Sequence, residues 1–160
     1  MEFSKVIASR RSIRKFKKEP IPQETIDKLQ QALNYAPSGN NSQPVKFVFV
    51  TDETLRKRLV IGALHQPGFA DAPLIVVPCC AREESINAAI ALDHLILAAT
   101  DAGLGACWVA WMEREEIKKI LGIPQNKVVD VIVPIGFADE APEAKPRKPL
   151  SELICSNTYQ

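Results

Sequence analysis

The stretch from residue 84 to 102 constrains the fold most, because it is predicted to form the longest helix and its middle is apolar nearly all round. A helix on a protein surface usually shows one apolar stripe and one polar face. This helix must therefore be enclosed by protein, either by the core of its own chain or by a second subunit. The Gly103-Leu104-Gly105 segment ends it in the manner of a helix C-cap.

The rest of the chain alternates between helical and strand patterns, without internal repeats or low-complexity segments. Helical spacing of apolar residues predicts a short helix around Phe3, Val6 and Ile7, and further helices over Gln23–Ala36, Asp52–Ile61 and Glu113–Leu121. Strands are predicted over Val45–Val50, Pro73–Cys80, Ala106–Trp111 and Val128–Phe137, with a loop over Gly62–Ala70. The second of these strands is continuously apolar, which indicates burial on both faces.

Length and charge narrow the classes of protein to consider. A chain of 160 residues is predicted to be one domain with a real core. The net charge of +1 argues against a general nucleic-acid or membrane-surface binder. The sequence starts without a secretion-type leader, and its four cysteines show neither CxxC spacing nor histidines at metal-ligand intervals. We expect a cytoplasmic protein with reduced thiols and no bound metal.

The basic run Arg10-Arg11-Ser12-Ile13-Arg14 is the strongest candidate for a binding site. Guanidinium groups offer planar, bidentate donors to phosphate or carboxylate. If the run is extended, Arg10, Ser12 and Arg14 face one way, whereas Arg11 and Ile13 face the other. A solvated basic loop or a nucleic-acid patch is the alternative interpretation. The apolar residues interleaved with the charges argue against a free tail.

The last part of the chain, residues 138–160, is predicted to be an extended C-terminal arm. Prolines space it out at positions 142, 146 and 149. The arm has no apolar periodicity of its own, so it needs another surface on which to lie.

Seven separate segments of the chain carry a further signal: Arg10–Arg14, Ala36–Pro44, Asp71–Pro73, Asp93–His94, Gly103–Trp108, Pro134–Gly136 and Lys145–Arg147. Taken together and in this order, they resemble the FMN-dependent nitroreductase family. The resemblance implies an α+β fold with a central, mostly antiparallel sheet flanked by helices. It also implies an intertwined homodimer that binds two FMN groups at the subunit interface and exchanges C-terminal arms.

The resemblance assigns roles to the cationic residues. Arg10, Lys145 and Arg147 match the cations beside the FMN phosphate, and Arg11 is a further candidate. Ser12 matches the ribityl side, where a hydroxyl can donate and accept hydrogen bonds. Arg14 matches the position beside the flavin pyrimidine edge, where a guanidinium stabilises the negative charge that builds during reduction.

Two further segments match family positions around the flavin ring. Pro37, Ser38 and Asn41 resemble the loop that one subunit offers to the flavin of the other, although an ordinary turn is the alternative. Ala110 and Trp111 align with the segment whose backbone N–H meets flavin N5. Trp108 and His94 are interpreted as packed residues, and His65 faces either substrate or solvent.

The resemblance implies an oxidoreductase that takes hydride from NAD(P)H and reduces a flat, electron-poor acceptor such as a nitro-aromatic or quinone by a ping-pong mechanism. No catalytic side chain is predicted, because the cofactor carries the chemistry. The alternative is a non-catalytic, flavin-binding redox sensor or carrier on the same fold. The chain also lacks the inserted helices of larger family members, so an open flavin face is expected.

Overall fold

The computed structural model describes residues 1–159 and shows an α+β chain built around one sheet. The helices are α1 (Phe3–Ser9), α2 (Gln23–Asn34), α3 (Glu53–Leu59), α4 (Ser85–Asp101) and α5 (Arg114–Leu121), and the strands are β1 (Lys46–Val50), β2 (Leu74–Cys79), β3 (Gly105–Ala106) and β4 (Val133–Gly136). Short 3₁₀ or π turns lie between them. Among these residues, no helix is both long and apolar enough to cross a membrane.

The sheet has the order β1-β2-β4-β3, and every neighbouring pair of strands is antiparallel. Its register is fixed by pairs such as Phe47 with Pro78 and Ile75 with Pro134. All six residues of β2 are buried. The predicted burial on both faces is confirmed, because β2 is an inner strand that is covered by helices on each side.

Alternating residues of β2 enter two different apolar clusters. Leu74 and Val76 pack with α2 and α4 on one face of the sheet. Ile75 and Val77 pack with α3, α5 and the turn after α3 on the other. Complete burial of such a side chain stabilises the fold by about 1.5–3 kcal/mol relative to leaving it in water. The sheet is therefore the middle layer of three.

The core of the chain covers only one side of α4. Its inward residues are buried, whereas Ile86 is 72% exposed and Asp93 is also open to solvent. His94 lies on this outer side too, is exposed, and among the described residues its side chain bonds the Ile90 carbonyl at 3.1 Å, so its own chain does not pack around it. The helix is long and largely apolar, as predicted, but its own chain does not enclose it.

Two predicted strands are shorter than their apolar runs. After β3, the N–H of Cys107 donates to the Pro134 carbonyl at 3.2 Å, but proline has no N–H with which to return the bond. The regular ladder ends there, and only an isolated bridge between Val109 and Ile132 continues it. The predicted strands Ala106–Trp111 and Val128–Phe137 are thus reduced to β3 and β4.

The helical conformation after α3 continues past Gly62, where the sequence pattern predicted that a loop begins. A π turn covers Val60–Leu64, and the N–H of His65 closes it on the Val60 carbonyl at 3.0 Å. Ala63 and Leu64 are buried there, so packing keeps the chain helical where a loop was predicted. His65 ends the turn in the left-handed conformation.

The C-terminal arm begins in the sheet and then leaves it. Phe16 forms an antiparallel bridge with Ala138, and the N–H of Asp139 donates to the Lys15 carbonyl at 2.9 Å. From residue 141 to 159 every residue is exposed. Leu150 and Ile154 are 71% and 61% exposed, so the apolar side chains of the arm lack a surface of their own chain to cover them.

Candidate functional site

The basic run lies along the outer edge of β3 as an extended segment. Ser12 forms a parallel bridge with Ala106, and the N–H of Ile13 donates to the Ala106 carbonyl at 3.0 Å. Ile13 is buried and packs so tightly on Gly105 that a Cβ there would stand 2.5 Å from its Cγ1 atom. Ile13 therefore anchors the segment against the core.

Arg10 carries a half-buried guanidinium that has no protein partner. Within residues 1–159 it forms neither a hydrogen bond nor an ion pair, and the hydroxyl of Ser12 is likewise unbonded. Arg10 borders a cleft of about 380 Å³ whose other walls include Thr100 and Pro142. A partly buried cation without a counter-charge is unfavourable unless an anion binds beside it, so this group fits a phosphate or carboxylate.

Arg11 is held differently, although it lines the same cleft. Its Nη1 donates to the carbonyls of Ala8 and Arg10, at 2.8 and 2.9 Å. These carbonyls lie at the end of α1, where backbone acceptors lack helical partners. Arg11 thus fixes the junction between α1 and the basic segment, and part of its donor capacity is already used.

Arg14 is exposed at the far end of the segment, and its Nη1 donates only to the Ser12 carbonyl, at 3.3 Å. Its backbone N–H donates to the carboxylate of Glu140. Cys107 is buried nearby: burial raises the pKa of its thiol, Arg14 and Arg10 oppose this rise, and Glu140 adds to it. The thiol is therefore protonated at neutral pH, and it lacks the thiolate that a nucleophile needs.

The loop that contains Pro37, Ser38 and Asn41 has an unusual backbone. Asn40, Asn41 and Gln43 have φ angles of 52°, 55° and 46°, in the left-handed region that non-glycine residues rarely adopt. The hydroxyl of Ser38 accepts the Gln43 N–H at 3.0 Å and holds the loop in this shape. Strain of this kind persists only where the surroundings impose it, and it concentrates at functional sites.

This loop and the basic segment lie at opposite ends of α4. The N–H of Gly39 donates to the side chain of Asn87 at 3.3 Å, near the start of the helix. Arg10 shares its cleft with Thr100, near the end. At 1.5 Å per residue, the two attachment points are separated by about 20 Å along the helix axis. One chain therefore does not bring the two groups of predicted site residues together.

The corner formed by Ala110 and Trp111, which follows β3, has backbone N–H groups that are available as hydrogen-bond donors. Both residues are exposed, Trp111 by 89%, and neither backbone N–H donates a hydrogen bond to any group in the part of the chain described. The Nη2 of Arg114 donates to the Ala110 carbonyl at 3.3 Å and helps to hold the corner. Trp108 is 43% exposed on the same segment, so its interpretation as a core residue was wrong.

Lys145 and Arg147 lie on the exposed part of the arm. Within residues 1–159, no hydrogen bond or ion pair joins either side chain to another residue. The structure thus places Arg10, Arg11, Ser12 and Arg14 on one segment, and leaves the two arm cations unattached.

These features agree with the result of comparing the sequence with known protein families. The sequence model of the nitroreductase family matches residues 7–66 and 60–137. The chain belongs to the nitroreductase family. An NADPH-flavin oxidoreductase of Vibrio harveyi is 30% identical over 175 residues, in a match that covers 96% of this chain and 73% of that protein.

Two further similarities extend across nearly the whole chain. The solved structure of an NADPH:FMN oxidoreductase from Vibrio harveyi, complexed with NAD⁺, superposes with a TM-score of 0.91 at 28% identity and covers 99% of this chain and 78% of that one. An iodotyrosine deiodinase of Thermotoga neapolitana is 27% identical, with 94% and 95% of the two chains covered. The names of these relatives thus describe different activities.

Sequence reasoning did not place Glu140 beside the basic segment. Its carboxylate bonds the backbone of Arg14, which is 126 positions away in the chain. The only local signal is an acidic residue directly after the last strand, and that signal is too common to be informative.

Proposed function

We propose that this protein is an FMN-dependent oxidoreductase that takes hydride from NAD(P)H and passes it, in a ping-pong cycle, to a flat, electron-poor acceptor such as a nitro-aromatic or quinone. The observation that carries the proposal is the half-buried guanidinium of Arg10 without a partner, beside the unbonded Ser12 hydroxyl. The flavin and nicotinamide named for the Vibrio harveyi relatives support it.

The residues present fit FMN. The phosphate of FMN carries roughly two negative charges at neutral pH, as other phosphomonoesters do. Arg10 would hold it, joined by Lys145 and Arg147 of the arm. Ser12 would bond the ribityl chain. The unused N–H groups at Ala110 and Trp111 provide donors for the ring.

When bound, FMN supplies the hydride chemistry, since it can accept a hydride from one substrate and give it to another. Arg14 would stabilise the negative charge of the reduced ring, because its guanidinium is exposed and bonds only one carbonyl. Its charge is permanent at any working pH. The side chains thus supply position and charge, and none of them needs to act as an acid or base.

We also propose that a second copy of the chain completes each site. Pro37, Ser38 and Asn41 lie about 20 Å along α4 from the basic segment, which is too far for them to share one flavin ring with it in the same chain. The outer side of α4 and the arm both expose apolar side chains. A homodimer would cover these surfaces and bring the loop of one subunit to the basic segment of the other.

The three buried thiols are free, which supports a reducing, cytoplasmic setting for this reaction. A non-catalytic flavin-binding sensor on the same fold is the competing hypothesis.

The decisive experiment is an anaerobic titration of the purified, FMN-loaded protein. NADH or NADPH should bleach the visible absorbance of the flavin, and a quinone or nitro-aromatic should restore it in a second step, over many cycles. A protein that binds FMN but is not bleached by either nicotinamide is a carrier or sensor. A protein that binds riboflavin and FMN equally poorly refutes the proposed site altogether.

A further inference from the structure

Glu140 lies where the arm leaves the sheet, opposite Arg14. Residues 15–17 and 137–139 form a short antiparallel ladder: the N–H of Lys17 donates to the Phe137 carbonyl and the N–H of Asp139 to the Lys15 carbonyl, both at 2.9 Å. Glu140 is the next residue of this ladder. Its position is therefore set by backbone hydrogen bonds and not by its own side chain.

The carboxylate of Glu140 takes the place of a strand partner for the basic segment. Its Oε1 accepts the backbone N–H of Arg14 and that of Lys15, the latter at 3.2 Å. Hydrogen bonds to an ionised acceptor are shorter and roughly twice as strong as those between neutral groups. One side chain thus fixes two consecutive peptide groups of the segment.

The other side of the Arg14 backbone is confined by the loop after the π turn. A Cβ at Gly68 would stand 2.2 Å from the Arg14 carbonyl oxygen, so the two backbones are as close as a glycine allows. The peptide groups of Arg14 are therefore held by Glu140 at the N–H and by Gly68 at the carbonyl. The Arg14 side chain itself has only the 3.3 Å bond to Ser12.

We propose that Glu140 is a positioning residue for Arg14, which it holds through the backbone so that the guanidinium meets the flavin ring in the reduced state. The inference rests on the proposed function, because it concerns the site at which FMN would bind. Since Arg14 lacks other strong anchors, the stabilisation that it gives to reduced FMN depends on the place of its backbone. The carboxylate therefore acts through Arg14 and does not contact the ring.

The test measures the two-electron midpoint potential of bound FMN at one pH in five proteins: wild type, Arg14→Ala, Glu140→Ala, Glu140→Gln and the double variant Arg14→Ala with Glu140→Ala. Arg14→Ala should weaken reduced FMN about tenfold relative to oxidised FMN, which lowers the potential by about 30 mV. Glu140→Ala should lower it by a similar amount, and the double variant should go no lower than Arg14→Ala.

Glu140→Gln keeps an amide oxygen that can accept both N–H groups, so its potential should not fall below that of the wild type. Removal of a negative charge alone would raise the potential, opposite in sign to the expected fall in Glu140→Ala. Asp139→Ala is the matched control, because this exposed carboxylate makes no hydrogen bond or ion pair with its side chain among the described residues. It should not lower the potential, since it removes a neighbouring charge but no bond to the basic segment.

Three outcomes would contradict the role of Glu140 or the proposed function on which it rests. If Glu140→Ala lowers the melting temperature but leaves the potential at the wild-type value, Glu140 is merely structural and the inference fails. If the falls in Arg14→Ala and Glu140→Ala add in the double variant, Glu140 does not act through Arg14. If Arg14→Ala itself has no effect, or the wild type does not bind FMN, the proposed function fails first.

Discussion

Replacing Arg10 with alanine should weaken FMN binding by roughly ten- to a hundredfold. The Arg10 guanidinium has no partner in the chain and is half-buried, so the substitution removes no internal hydrogen bond. A charge-assisted hydrogen bond is worth about 1.5–3 kcal/mol. Because the group is only half-buried, solvent screening favours the lower part of this range. With 1.4 kcal/mol for each factor of ten, one such bond corresponds to the expected loss.

Fluorescence titration with FMN and with riboflavin measures this effect directly, because riboflavin lacks the phosphate. Riboflavin affinity should change by less than about threefold, which is under 1 kcal/mol. Arg58→Ala is the matched control, since this exposed arginine of α3 also forms no hydrogen bond or ion pair in the described chain. Equal losses for both ligands, with an unchanged melting temperature, would refute the assignment of Arg10 to the phosphate.

Two other predictions follow from the burial of the thiols and from the division of the site. Burial raises the pKa of the Cys79, Cys80 and Cys107 thiols, so these thiols stay protonated at pH 8. They should therefore resist iodoacetamide until urea unfolds the chain, which mass spectrometry can follow. Rapid labelling of Cys107 in the native protein would contradict this prediction. A purified heterodimer of Arg10→Ala and Asn41→Ala subunits should bind one FMN per dimer with wild-type affinity, whereas neither homodimer does. If the site lay within one chain, the heterodimer would have no intact site.

The path of the basic segment could be predicted from the sequence because its physics is local. Ile13 and Phe16 stand among charged residues, which predicted that the segment packs and is not a free tail, and both are buried in the structure. Apolar runs without polar alternation likewise predicted burial of β2 on both faces. The largely apolar α4 was predicted to be enclosed by its own core or by a second subunit.

Other features depend on groups that are distant in the chain, so local patterns could not reveal them. The end of the β3–β4 ladder requires Pro134 to face Cys107, which is known only once the register is fixed. The carboxylate of Glu140 and the N–H of Arg14 meet only through the fold. The left-handed conformation of Asn40 and Asn41 could be predicted only in part. Asparagine tolerates this conformation better than most residues, but the sequence alone does not show that these two asparagines adopt it.

The length of α4 accounts for the division of the site between subunits that we propose. The strained loop is attached near its first turn and the basic segment near its last, so a longer or shorter helix would change the distance between the two halves of the site. In a two-fold dimer, both subunits use the same surface for the interface, so every contact between one subunit and its partner occurs twice, with the roles of the subunits exchanged. If two α4 helices pack antiparallel through their exposed sides, the first turn of one lies beside the last turn of its partner. Two identical sites then form together, and loss of the interface removes both.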